Sequence, residues 1–377
     1  MSNPNAPFYP IIYVRGYAMT QKEIDETTAD PFCGFNLGST MYRATCDRNK
    51  VQKLIFESPL VRLCNDFSYR DVYENGLDIL DSGWTGKITN KSIIIHRYYD
   101  EASAAFGTKG TPDIKKFAEG LNSLILKVRN LVCDNLDNKT SRDDFRCYLV
   151  AHSMGGLVCR AFLQNPECGS DEARKCVDKV FTYATPHNGI EMGGMNVPSW
   201  LSMFDMSNFS RERMADYLKL KKEFKKTGRV DWLPEEVFPS ERFFCMVGTN
   251  RGDYETAKGI SRTFAGHGSD GLVRIENASV WGLDANGNVS QPSATAYAYR
   301  SHSGFYGIVN SEDAYQNLIR FLFGDRRVDI WVDVADINLP ADVQAQADTG
   351  KDVDALYQFE VLVAPRRAPW YLTRRTP

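Results

Sequence analysis

Short apolar runs alternate along this chain with stretches of helical periodicity. Ile11-Ile12-Tyr13-Val14, Ile93-Ile94-Ile95-His96-Arg97-Tyr98, Cys147-Tyr148-Leu149-Val150, Val180-Phe181-Thr182-Tyr183-Ala184 and Phe243-Phe244-Cys245-Met246-Val247 read as strands, several of them rich in β-branched and aromatic residues. Between them, Phe117, Leu121, Leu124, Ile125, Val128, Leu131 and Val132 recur at helical spacing across Ile114 to Cys133, with Thr111-Pro112-Asp113 as a start signal. Gly156 to Leu163 and Glu312 to Phe323 are further helices. Strands that alternate with helices in this order predict an α/β fold whose mostly parallel sheet has helices on both faces. In such a sheet the functional groups gather at the carboxyl ends of the strands.

Three regions depart from this rhythm. Residues 18–90 are mixed polar and aromatic, with a helix expected near Val51 to Phe56 and turns at Asn75-Gly76 and Ser82-Gly83. So long an insertion after a first strand is expected to form a cap over a site. Residues 190–240 bring Met192, Met195, Trp200, Leu201, Met203, Phe204 and Met206 close together. They fit either an internal helix pair with a core stripe or a lid whose adaptable side chains meet acyl chains. From Phe323-Gly324-Asp325 onward the pattern becomes two-fold, in Val328 to Val334 and again in Tyr357 to Val363, which predicts a small β extension. The expected division is therefore a catalytic domain over 1–325, with insertions 18–90 and 190–240 as cap or lid, and a β-rich extension over 326–377.

Composition narrows the function classes. With 43% hydrophobic and 12% aromatic residues, the chain has the material for a packed core and does not read as disordered. A net charge of -3 gives no global attraction to nucleic acid. The basic run of Lys219, Lys221, Lys222, Lys225 and Lys226, within 219–229, reads as a solvated helix face or a contact with an anionic membrane surface. Nothing resembles a signal peptide or a membrane span, so the expected location is cytoplasmic, with export by a non-classical route left open. Nine scattered cysteines without a C-x-x-C pair argue against a zinc ribbon and fit reduced thiols, although Cys33/Cys46 or Cys168/Cys176 could pair if the protein were exported.

The most specific signal is Ala151-His152-Ser153-Met154-Gly155, set between a strand and a helix. Small residues two places either side of a serine let the backbone turn sharply enough to lift the hydroxyl above the sheet, with the next N–H aimed at the same space. Ala151 stands where the usual elbow has glycine, a difference of one methyl; the competing reading is a serine that merely caps a helix. A serine hydroxyl needs an imidazole to take its proton and a carboxylate to orient that imidazole. Among His96, His152, His187, His267 and His302, only His302 follows Asp270, which precedes a glycine turn in Ser269-Asp270-Gly271-Leu272-Val273. The order serine, acid, histidine then selects Ser153, Asp270 and His302. Asp253 and Glu276 are competing acids. His152 reads as a packing residue, and His187, at a strand end in Ala184-Thr185-Pro186-His187, as structural or as a pocket wall. An oxyanion needs two N–H donors. Met154 supplies one once the elbow forms, and Tyr17, after the flexible Gly16, is the candidate for the other.

Ala151 to Gly156, Ala184 to Gly189, Ser269 to Val273 and the histidine loop Ser301 to Gly304 together resemble the lipase and esterase branch of the α/β-hydrolase superfamily. The resemblance spans Ile11 to Phe323. It implies Ser153 as nucleophile, Asp270 as acid, His302 as base, and Met154 and Tyr17 as oxyanion donors. Arg15-Gly16 stands where the family usually has His-Gly. The expected activity is hydrolysis of a carboxylic ester, from a lipid or other hydrophobic acyl donor, through an acyl-serine and without a cofactor or metal. Gly16, His187, Met192 and Trp200 are candidate pocket residues. A thioesterase or acyltransferase with the same triad, or an inactive binding module on this fold, are the alternatives.

Overall fold

A computed structural model describes residues 7–16, 32–44, 51–98, 113–135, 139–192, 195–196, 208–254, 268–329, 331, 333–350, 353, 364 and 366–367. Seven strands form one sheet: β1 (Ile11–Val14), β2 (Arg70–Asp71), β3 (Ser92–His96), β4 (Cys147–His152), β5 (Val177–Tyr183), β6 (Phe243–Gly248) and β7 (Ala294–Ala298). Their spatial order is β7-β6-β5-β4-β1-β3-β2, and every pairing is parallel. β1 lies in the middle, with Ile12 opposite Ile94 on one side and Leu149 on the other. From β1 the chain passes to the edge strand β2, inserts β3 between the two, then returns to grow the other way from β4. That reversal leaves a crevice at the carboxyl ends of β1 and β4, where an open parallel sheet holds its ligands.

Both faces of the sheet are covered, as a parallel sheet requires. Alternate residues point to opposite sides, so Ile12, Val14, Leu149 and Ala151 pack with helices α2 (Ile114–Cys133) and α3 (Met154–Gln164). Ile11, Tyr13, Tyr148 and Val150 join the core formed with α1 (Pro59–Phe67) and α4 (Glu312–Phe323). The helix starts follow local chemistry. Ser58 caps α1 by accepting from the Val61 N–H with Pro59 in the first turn, Asp113 caps α2 through the Lys115 N–H, and Ser311 caps α4 through the Ala314 N–H.

The structure departs from the sequence-based expectations in three places. Val51–Phe56 is a strand, not a helix, and pairs antiparallel with Ser39–Ala44. Six residues are too few for periodicity to separate the two states, and the partner strand decides. The region 18–90 is not cap throughout: α1 packs in the core and β2 forms the edge of the main sheet. The chain divides after Asp329, slightly beyond the expected Asp325, into Met1–Asp329 and Ile330–Pro377. In the second unit the regular element among the described residues is the helix Ala341–Ala347. The described residues of Val328 to Val334 form no strand. Val328, Trp331 and Val334 are exposed, and among the described residues no strand faces this two-fold pattern to bury its apolar side. The expected strand Tyr357 to Val363 lies outside the described residues.

Within 190–240, Met214, Ala215, Tyr217, Leu218 and Leu220 belong to the core, while Glu191–Met192 and Met195–Asn196 form a small hairpin. Trp200 and its apolar neighbours through Met206 lie outside the described residues. Lys219 pairs with Glu167 and Lys221 with Asp216 on the surface. Cys168 and Cys176 are free thiols, whereas Cys46 lies outside the described residues. Among the described residues no helix is long and apolar enough to cross a membrane, and no cluster of side chains could hold a metal ion.

Candidate active site

Ser153 stands between β4 and α3 with φ 52° and ψ -125°, a conformation that side-chain-bearing residues rarely adopt. Its neighbours make the turn possible. A Cβ on Gly155 would run into the Val14 and Arg15 carbonyl oxygens, and one on Gly16 would lie 2.5 Å from the Ser153 Cβ. The bent backbone is fixed from outside as well. The Ser153 N–H donates to the Tyr183 carbonyl at 2.9 Å, and the Thr185 hydroxyl donates to the Ser153 carbonyl at 2.8 Å. Although Ser153 occupies the N-cap position of α3, its side chain makes no capping bond. The hydroxyl is committed elsewhere.

That commitment is to His302, whose Nε2 is 2.9 Å from the Ser153 Oγ. The His302 Nδ1 is in turn 2.9 Å from the Asp270 Oδ2. A carboxylate only accepts, so Nδ1 carries the proton and Nε2 presents its lone pair to the serine hydroxyl. The other carboxylate oxygen, Oδ1, accepts from the Leu272 N–H at 3.0 Å and the Val273 N–H at 2.7 Å, which closes the turn and aims Asp270. The three residues are nearly inaccessible to solvent, at 5%, 1% and 3% for Ser153, Asp270 and His302. Low local dielectric strengthens each of these bonds and makes an unpaired member costly.

The competing acids stand elsewhere. The Asp253 carboxylate accepts from the Asn250 side-chain amide, and Glu276 is exposed and pairs with Arg274. The strand ends explain the selection. Gly248 closes β6, and a Cβ there would meet the Asp270 Cβ at 2.8 Å and the Arg300 carbonyl oxygen at 2.7 Å, so the acid loop and the histidine loop are brought together over a position with no side chain.

The sheet order, the strained serine after β4 and the order serine, acid, histidine along the chain decide the family of folds. This is an α/β-hydrolase fold. Residues 98–196, from the end of β3 through the elbow to the hairpin after β5, match the family described as PGAP1-like alpha/beta domain. No curated protein matches the chain. Among solved structures, the mature Bacillus licheniformis lipase BlEst2 is 15% identical, over 85% of this chain and 94% of its own, with a TM-score of 0.39. The metagenomic carboxyl esterase MGS0156 is 13% identical over 84% of this chain and 73% of its own, with a TM-score of 0.36. A cutinase-like protein from Cryptococcus sp. is 13% identical over 86% and 100%, with a TM-score of 0.29. At such scores the assignment of the hydrolase fold rests on the sheet and the elbow.

Of the remaining candidates, Met154 is the first residue of α3, so its N–H is one of the helix's leading donors without an intrahelical acceptor. Gly16 lies against Ser153 at the end of β1. Tyr17 and Trp200 lie outside the described residues, as does His267. Met192 sits in the small hairpin. His187 is fully buried, with Nε2 3.2 Å from the Thr182 hydroxyl and its ring edge-on to Phe243, so it belongs to the core and not to a pocket wall. His96 is likewise buried and bonds to the Phe117 carbonyl; burial pushes its pKa down to about 4. An open groove of about 710 Å³ lies beside Trp232, Trp281 and Tyr297 and includes no triad residue. Its two arginines are already engaged, Arg229 by Asp231 and Arg274 by Glu191.

Two supporting contacts were not foreseen from the sequence. The Tyr98 hydroxyl donates to the Arg15 carbonyl at 2.6 Å, and its ring packs on Phe117, tying the segment after β1 to α2. His152 Nε2 lies 2.9 Å from the His302 carbonyl oxygen. Neither contact has a sequence signal, because each joins residues far apart in the chain.

Proposed function

We propose that this chain is a serine carboxylic ester hydrolase acting through an acyl-serine intermediate, in the manner of lipases and esterases. The observation that carries the reading is the continuous run from the Ser153 hydroxyl through His302 to Asp270, with both links at 2.9 Å. His302 takes the hydroxyl proton as Ser153 attacks the ester carbonyl. The resulting oxyanion is held by the Met154 N–H, with Tyr17 N–H as the proposed second donor. Loss of one such donor typically costs on the order of 10²–10³ in rate. As the tetrahedral adduct collapses, the imidazolium returns its proton to the departing alcohol. Water then repeats the sequence on the acyl-serine, with His302 again as base.

Asp270 favours this cycle because the imidazolium forms against a fixed, buried carboxylate. The apolar residues of 190–240, including Met192 and Trp200, support a hydrophobic acyl group and hence a lipid ester as substrate, with the basic run of 219–229 as the proposed membrane-side contact. A fluorophosphonate probe tests the chemistry. Wild type is labelled, while Ser153→Ala, with an unchanged circular dichroism spectrum, is not. Folded wild-type protein that resists the probe, or equal labelling of Ser153→Ala, overturns the reading; the first result identifies an inactive binding module. Rates on a panel of acyl esters, acyl thioesters and acyl acceptors then rank the substrate classes.

A further inference from the structure

His152 fills the variable position of the elbow, one residue before the nucleophile, and ends β4 with its backbone opposite Tyr183. Its ring is 5.1 Å from the His302 ring, centre to centre. On its other side it meets the segment after β1, where a Cβ on Gly16 would lie 3.2 Å from the His152 Nδ1. A carbonyl oxygen only accepts, so the 2.9 Å contact with His302 fixes the tautomer: Nε2 carries the proton and donates it to the His302 carbonyl.

The base residue is therefore held at both ends of its own backbone. Its N–H donates to the Asp270 carbonyl at 2.9 Å, and its carbonyl accepts from His152. The first bond ties it to the acid and the second to the elbow. We propose that His152 is a positioning residue for the base, holding the His302 main chain against the elbow so that the imidazole stays within reach of the Ser153 hydroxyl. Its surroundings suit a neutral donor. Burial foremost, then His302 and Arg15 nearby, hold its pKa well below the ordinary histidine value, so it adds no positive charge beside the imidazolium that forms in each half-reaction. Asp270, on the far side of His302, is committed to the His302 Nδ1 and the turn amides.

The inference rests on the proposed hydrolase chemistry and fails separately from it. His152→Phe keeps a ring of similar size but has no donor. A small loss of alignment can cost a factor of about 10² in rate, so kcat is expected to fall roughly 10- to 100-fold, with KM unchanged and the rate of fluorophosphonate labelling reduced in parallel. His152→Gln, which retains an N–H at comparable reach, restores kcat to within about threefold of wild type. A folded His152→Phe protein with wild-type kcat, or a His152→Gln protein as slow as His152→Phe, overturns the positioning role while leaving the hydrolase reading intact. Should His152→Phe not fold, the decision passes to His152→Gln against His152→Asn, whose shorter amide falls short of the carbonyl. Equal kcat in those two overturns the role, and a slower His152→Asn supports it. If wild type itself neither hydrolyses esters nor takes the probe, the hydrolase reading is what has failed.

Discussion

Two buried polar clusters sit on one helix. At the start of α3, Ser153, His302 and Asp270 are joined in a line; about two turns further along, Arg160 is fully buried and donates to four acceptors: the carbonyls of His187, Val230 and Trp232 and the side chain of Gln164. Both clusters contain a histidine and a charged group, and in both the charged group is held by hydrogen bonds. Burial and polarity alone do not tell them apart. What differs is the direction in which protons can move. In the first, a hydroxyl on a strained backbone faces an unprotonated nitrogen whose other side is backed by a carboxylate. In the second, a cation is enclosed by neutral carbonyls; burial pushes its pKa down to about 10, with Asp231 opposing, so the guanidinium stays charged at neutral pH and has nothing to exchange. The His187 ring donates to Thr182, whose hydroxyl is already given to the Phe244 carbonyl, and its Nδ1 has no partner among the described residues. The first cluster has the arrangement that the proposed chemistry needs. The second fastens α3 to the segments around His187 and Val230 to Trp232.

The largest expected effect separates proton management from shape. In Asp270→Asn the amide oxygen can still accept from the Leu272 and Val273 N–H groups, but its NH₂ then faces His302 and reverses the tautomer, which leaves no lone pair toward Ser153. We expect kcat to fall by about 10⁴, with the urea midpoint little changed. A loss below tenfold would mean that Asp270 only shapes the turn.

Arg160→Met inverts that outcome. It strips the His187 and Val230 carbonyls of their Arg160 donor, while the Trp232 carbonyl keeps that of Gln164, and each buried acceptor left unsatisfied costs about 1–3 kcal/mol. The kcat per fluorophosphonate-titrated site should stay within about threefold of wild type. If activity collapses while stability holds, the two clusters are not separable and the comparison fails.

The finest test is pH. Burial foremost, with Arg160 adding, keeps His187 neutral far below the ordinary histidine pKa. Below pH ~6.5 the unfolded chain binds a proton at this position that the folded chain refuses. Stability is then fully present above that pH and is lost as pH falls, by about 1.4 kcal/mol per unit for this group. His187→Gln should remove that slope from urea unfolding between pH 6.5 and 5, while the pH profile of kcat stays where it is. An unchanged slope would show that His187 is not held neutral by the fold.

Much of the site was legible because its strongest signal is local. Ser153 with Ala151, Gly155 and a strand and helix on either side needs only neighbouring residues to define a sharp turn, and His302 followed from chain order. Asp270 did not separate from Asp253 and Glu276 until the loops after β6 were placed. Short apolar runs misled at Val51–Phe56, where a partner strand overrides any helical tendency. The alternating tail misled for the opposite reason: a two-fold pattern becomes a strand only when another strand accepts its hydrogen bonds, and Val328 to Val334 has none among the described residues.

The amino-acid order by itself determined the alternating α/β plan, the elbow, and the serine and histidine that the fold brings together, since these depend on backbone sterics, periodicity over a few residues and chain order. The choice of acid, the anchoring of the segment after β1 by Tyr98, the hold of His152 on the base and the enclosure of Arg160 were decided by tertiary structure. Each of those depends on a donor and an acceptor far apart along the chain, and only the register of the parallel strands sets the distance between them.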